Sequence, residues 1–248
     1  MATIKSEREI ERMRGAGRIV AEVINMLKEA VKPGVSTLDL EHRSEKLIRR
    51  SGGIPSFLGY NGFPSVICAS VNEAVVHGIP NSYLLSEGDI VSLDVGVIWK
   101  DYHSDGAITI PVGAVGDKAK KLIEVTEKAL HIGIAAALPG KRISDVSHAI
   151  QKYVEWQGYS VVRKYVGHGI GRKMHEEPQV PNFCLPGRGD RLKEGMALAI
   201  EPMVNVGGCE VEVMDDDWTV VTKDRSLSAH FEHTVVIRKE GPEILTLP

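Results

Sequence analysis

Four carboxylates stand where a β-strand ordinarily carries apolar side chains. Asp94 sits within the run from Ile90 to Ile98, and Asp105 comes just before Ala107 to Val112. Glu201 closes the run from Met196 to Ile200, and Glu232 comes just before Thr234 to Arg238. An acid embedded in such a strand needs a partner, because burying an unpaired carboxylate costs several kcal/mol. Four of them brought together repel one another and take up protons. Divalent cations remove that repulsion by supplying positive charge directly. A single acid of this kind is more simply read as edge-exposed or salt-bridged; four at repeated positions favour metal.

Histidines complete the set. Gly167-His168-Gly169-Ile170-Gly171-Arg172-Lys173-Met174-His175 packs two of them among glycines, which let the backbone approach a site closely. His77 lies in a loop-like stretch, Val75 to Pro80, while His42, His131, His148 and His230 have no such setting and are read as ordinary surface or core histidines. One histidine with four carboxylates makes an oxygen-rich shell without sulfur, suited to Mn, Fe(II), Co or Zn. Two such ions, about 3.5–4 Å apart, clamp the transition state of a hydrolysis. An acidic shell disfavours an anionic substrate and favours a neutral carbonyl with a positively charged amine nearby.

The elements that position these residues follow from periodicity. Apolar residues at helical spacing predict helices over Ser6–Val31, Thr37–Arg50, Asp117–Ala137 and Ser144–Trp156, the first opened by a capping-box pair, Ser6 and Glu9. The β-branched runs Ile90–Ile98 and Thr234–Ile237 predict strands. Alternation along them places Ser92, Asp94 and Gly96 on one face and Val91, Leu93, Val95 and Val97 on the other. The chain also repeats itself: Leu85-Ser-Glu-Gly-Asp-Ile-Val-Ser-Leu-Asp94 aligns with Leu192-Lys-Glu-Gly-Met-Ala-Leu-Ala-Ile-Glu201, and in each half a second acid follows. We therefore expect an α+β fold, a single domain over residues 1–248 with duplicated halves of roughly 1–113 and 114–248.

Composition sets the bounds. The 248 residues, 43% hydrophobic and 25% charged, are enough for one large domain with a buried core. A formal charge of -3 gives no argument for nucleic acid or a membrane surface as a general partner. Three widely spaced cysteines with no C-x-x-C pair suggest neither a disulfide framework nor a zinc knuckle, and fit a reducing, cytoplasmic compartment. The N-terminal residues lack an apolar signal core, and no stretch is apolar for long enough to span a bilayer.

Together the motifs Val75-Val-His-Gly-Ile-Pro80, Ser92-Leu-Asp-Val-Gly96, Ser104-Asp105, Gly167-His-Gly-Ile-Gly171, His175-Glu-Glu-Pro178, Ile200-Glu-Pro202 and Phe231-Glu-His-Thr234 resemble the type I methionine aminopeptidases. The resemblance runs, in order, over nearly the whole chain. It implies the pita-bread fold, two pseudo-twofold α/β halves around a central antiparallel sheet. It also implies removal of the initiator methionine from nascent peptides with a small second residue, by a hydroxide bridging two divalent metals. By position, Asp105 and Glu232 would bridge the metals, Asp94 would hold one, and His168 and Glu201 the other. His77 and His175 would contact substrate and stabilise the carbonyl oxygen, and Glu201 would exchange protons with the attacking hydroxide. Tyr60, Cys68 and Trp218 match pocket-lining positions. Phe63 and Met174 stand at others where the family commonly has tyrosine and phenylalanine. Asn61 and Phe57 replace a common histidine and a common cysteine. A monovalent cation is also consistent with the resemblance.

Only 26 positions separate His175 from Glu201, which leaves no space for the long insertion of the type II enzymes. The resemblance is thus to the short bacterial form, and implies a cytoplasmic monomer working near the ribosome exit. Two rivals stand beside it: a proline-directed peptidase of the same fold, and a non-catalytic binding module. The second is disfavoured because all five ligand positions, His77 and His175 are present.

Overall fold

The computed structural model describes residues 3–247. Its first helix, α1 (Glu7–Ala30), starts where Ser6 donates its N–H and hydroxyl to the Glu9 carboxylate, at 2.8 and 2.7 Å. The apolar stripe Ile10, Met13, Val20, Ile24 and Leu27 is buried along its length. Helix α2 (Thr37–Arg50) is capped by Ser36, whose hydroxyl oxygen accepts from the Asp39 N–H at 3.0 Å. With α3 (Asp117–Ala136) and α4 (Ile143–Trp156), every helix end falls within one residue of the sequence expectation.

Nine strands form one antiparallel sheet. In chain order they are β1 (Ile54–Pro55), β2 (Cys68–Val71), β3 (Ile90–Trp99), β4 (Tyr102–Pro111), β5 (Gly167–Gly169), β6 (Glu176–Val180), β7 (Ala197–Ile200), β8 (Glu232–Arg238) and β9 (Gly241–Ile244). The order across the sheet is β1-β3-β4-β8-β7-β5-β6, with β2 also paired to β3 and β9 to β8. Centred on the β4–β8 pair, the aligned segments β3 and β7 lie on either side, so the sequence repeat is carried into the sheet order. In both Glu-Gly turns the glycine has positive φ, 95° at Gly88 and 83° at Gly195. Each donates its N–H to a distant backbone carbonyl, that of Val112 just after β4 (3.0 Å) and that of Ile237 in β8 (2.9 Å).

One expectation needs correction. Strand β4 begins at Tyr102, three residues ahead of Asp105, so that acid lies inside the strand, paired with Gly96, rather than opening it. Lys100 and Asp101 both take positive φ (50° and 69°) and make a tight two-residue turn between the paired Trp99 and Tyr102. That hairpin register, rather than apolarity, draws Tyr102 to Ser104 into the sheet.

The core is divided. Val91, Leu93, Val95 and Val97 of β3 pack with α1 and α2, whereas Leu198 and Ile200 of β7 pack with α3 and α4. A third cluster, including Met13, Phe57, Phe63, Tyr102, Met174 and Val236, draws on elements of both halves. A short strand, Ser228–His230, pairs with Met203–Asn205 in a separate three-stranded sheet just before β8. Among the described residues no helix is long and apolar enough to cross a membrane.

Candidate metal centre

Register converges the acids. Ala107 of β4 is paired with Asp94 on one side and Glu232 on the other, and Asp105 is two residues before it on the same face. His168 pairs with Ala199 of β7, two positions before Glu201. The small residues beside each acid leave the space the site occupies. Ligand atoms of Asp105, His168 and Glu232 lie within 4.8 Å of one another. Glu201 joins them through His168, whose Nε2 is 3.6 Å from Glu201 Oε1. Thr234 braces the bottom of the site: its hydroxyl accepts from the Asp105 N–H (2.8 Å) and donates to the Asp105 carbonyl (2.9 Å).

The electrostatics are those of a cation site. Asp105 is 3% exposed and Glu232 1%, and the buried Asp94 Oδ1 and Glu232 Oε1 have no hydrogen-bond partner. Burial raises the Asp105 carboxyl to about 7, against the lowering effect of contacts with Asp94 and the Gly106 N–H. Asp94, Glu201 and Glu232 are pushed well above the usual carboxylate range, first by burial and then by their acidic neighbours. His168 moves the other way, to about 3, mainly because burial disfavours its charged form. Its Nδ1–H donates to the Gly169 carbonyl at 2.9 Å, so the Nε2 lone pair is the one turned toward the acids. Orphaned carboxylate oxygens, mutual repulsion and a preset imidazole lone pair all fit divalent cations. Burial and then the Asp94 charge raise the Cys68 thiol, and its sulfur is not among the converging ligand atoms.

Beside the acids lies a cavity of about 200 Å³, lined by all the expected ligands and by Phe57, Tyr60, Asn61, Phe63, Cys68, His77, Met174, His175 and Trp218. Gly96 makes room for Phe57, because a Cβ there would come within 2.6 Å of its ring. Phe63 meets Trp218 edge-on at 5.1 Å between centroids. Phe57 and Phe63 thus belong both to the apolar cluster and to the cavity wall. His175 is exposed at the mouth, where its Nδ1 lies 2.7 Å from the Tyr60 hydroxyl. Its segment is anchored by the buried Lys5, whose ammonium donates to Glu176 at 2.6 Å. His77 lines the same cavity and takes φ 59°, a left-handed conformation uncommon for residues other than glycine.

Two histidines were missed by sequence reasoning. His230, placed among the ordinary histidines, is 2% exposed and lines the cavity, with Nε2 3.7 Å from Glu201 Oε2. His103, not singled out at all, is buried with Nδ1 2.9 Å from Ser56 Oγ. Each stands two positions before an acid, at His103/Asp105 and His230/Glu232, but parity along one strand links only the first pair, since Phe231 separates the strand of His230 from β8. His42 and His131 are exposed and His148 is half-buried, as the sequence reading had them.

The model of metallopeptidase family M24 matches residues 11–239. The chain belongs to this family. A methionine aminopeptidase of Clostridium acetobutylicum is 54% identical to it over 248 residues, covering all of this chain and 99% of the relative. The crystal structure of a methionine aminopeptidase from Thermotoga maritima superposes with a TM-score of 0.99 at 45% identity, covering both chains completely. A prolidase from Pyrococcus furiosus shares the fold, with a TM-score of 0.81 at 24% identity, but this chain covers only 65% of it. The pita-bread fold is thus shared with the prolidase, while full-length coverage at high identity is with the methionine aminopeptidases.

Proposed function

We infer that this chain is a metal-dependent methionyl aminopeptidase that releases the N-terminal methionine of peptides whose second residue is small. The observation that carries this reading is a small, largely apolar cavity opening directly beside a buried, repelling set of acids. Such a cavity takes an unbranched thioether side chain, and the acids draw the positively charged terminal amine. Phe63, Cys68, Met174 and Trp218 would hold the methionine side chain.

Divalent cations would be held by Asp94, Asp105, His168, Glu201 and Glu232, with Asp105 and Glu232 shared between two ions. When bound, they polarise the scissile carbonyl and lower the pKa of water. The donor set suits Mn, Fe(II), Co or Zn. Burial lowers His77 to about 4, and the walls of the mouth desolvate the His175 ring enough to lower it too although the residue stays accessible, so both are neutral hydrogen-bond donors near pH 7. If the Tyr60 hydroxyl donates to His175 Nδ1, the Nε2–H of that ring is left to meet the carbonyl oxygen as charge develops. Glu201 would take the proton from the attacking water and return it to the departing amine. The fuller reading, a monomer acting on nascent chains at the ribosome in the cytoplasm, rests on the family resemblance.

The rival within the fold is a proline-directed peptidase. Met-Gly-Met-Met and Ala-Pro peptides, assayed in parallel with metal present, separate the two. Methionine release from the first alone is expected. Preferential cleavage of Ala-Pro would overturn the substrate assignment.

A further inference from the structure

Among the described residues, three buried side-chain polar atoms have no hydrogen-bond partner: Asp94 Oδ1, Glu232 Oε1 and His230 Nε2. The first two belong to residues proposed above as metal ligands. The third has been given no role, and a buried N–H or lone pair left without a partner is costly. His230 faces Glu201, whose carboxylate is held between two imidazoles. Oε1 lies 3.6 Å from His168 Nε2, and Oε2 lies 3.7 Å from His230 Nε2.

The two rings present opposite faces to that carboxylate. His168 spends its proton on the Gly169 carbonyl and turns a lone pair inward. The acceptor that His230 Nε2 faces is Glu201 Oε2, which calls for an N–H, while burial and then the nearby His77 disfavour a charged ring. The ring is held in place through its backbone, because Thr109 Oγ1 accepts from the His230 N–H and donates to the His230 carbonyl, both at 2.9 Å. Thr109 is tied in turn to Ser92 Oγ, at 2.8 Å, on the strand that carries Asp94. The counterpart in the other half, His103, has a partner in Ser56 and does not line the cavity. Only His230 of this pair is aimed into the site with its bond unmade.

We propose that His230 is a positioning residue for Glu201, donating Nε2–H to Oε2 so that Oε1 is directed, beside His168, at the metal. A gap of 3.7 Å is longer than a hydrogen bond. A small closure of that gap would make the bond and leave the other Glu201 oxygen for a cation. The inference rests on the reading of Glu201 as a ligand.

The test is calorimetric titration of the metal-free protein with Mn(II) alone, using wild type, His230→Ala, His230→Gln and Glu201→Gln, with thermal melts of each metal-free protein as a check on folding. His230→Ala is expected to weaken Mn(II) about 10–100-fold, the range for losing an outer-sphere partner. His230→Gln, whose amide can donate from a similar position, is expected to recover most of that loss. Wild-type affinity in His230→Ala would overturn the proposal. So would a His230→Gln protein that folds but binds as weakly as the alanine variant, since the ring nitrogen would then be a ligand itself. Unchanged affinity in Glu201→Gln would instead locate the failure in the ligand assignment on which the proposal rests.

Discussion

Glu201 carries two conflicting demands. As a buried acid among acids it opposes folding of the metal-free chain, and as a proposed ligand and proton carrier it is needed for activity. Glu201→Gln is therefore expected to lose about 100-fold or more in metal affinity, at or beyond the upper end of what outer-sphere losses cause, and to lose hydrolysis with it. The metal-free variant should nevertheless melt at or above the wild-type temperature, because one repelling charge has gone. A metal-free variant that melts well below wild type would contradict this account of the acids. The acids that line the cavity were legible in the sequence because a carboxylate in an apolar strand is anomalous and these anomalies recur in register. His230 was not, since Phe231 separates its short strand from β8 and a lone histidine carries no comparable anomaly.

At the level of elements, strand β3 separates two jobs by parity. Its valines and leucine fill the core under α1 and α2, and its opposite face carries Asp94 with Ser92 and Gly96. Gly96 is needed because the Phe57 ring lies where a side chain would be. Gly96→Ala should therefore cost about 1–3 kcal/mol, the usual penalty for overpacking, and displace Phe57 from the cavity wall. Denaturant melts and the KM for a methionyl peptide would both register it; a variant unchanged in both would show that Phe57 has slack. The helices were legible to within a residue because caps and apolar periodicity agree with each other. The start of β4 was not, because it is set by the left-handed pair Lys100-Asp101, and nothing apolar marks Tyr102 to Ser104 as strand.

For the whole molecule, folding and metal binding are linked through protons. The raised carboxylates favour the folded metal-free state at low pH and lose that contribution as pH rises through their folded values, about 7 for Asp105. His168 and His230, lowered to about 3, act in the opposite sense, but only between those values and the ordinary 6.5. Above pH 6.5 the carboxylates act alone. The metal-free protein should lose stability from about pH 6.5 upward, while metal affinity rises as fewer protons must be displaced. Melts with and without Mn(II) at pH 6.5 and 8 check this; a metal-induced shift that shrinks with rising pH would contradict it. Activity should likewise fall in acid as protons compete for the ligands, and a profile flat down to about pH 4, near ordinary carboxylate values, would count against metal. The duplication was readable from the paired Glu-Gly turns, whereas the closing of the two halves around one cavity depends on long-range packing that no local pattern announces.

The central claim is that this buried acid set works only as a cation site for peptide hydrolysis. The most direct measurement is methionine release from Met-Gly-Met-Met by protein stripped of metal, before and after adding Mn(II) or Co(II). No release is expected from the stripped protein, with recovery on adding metal that saturates at no more than two ions per chain. Full release without metal, or none with the ions demonstrably bound, would contradict it.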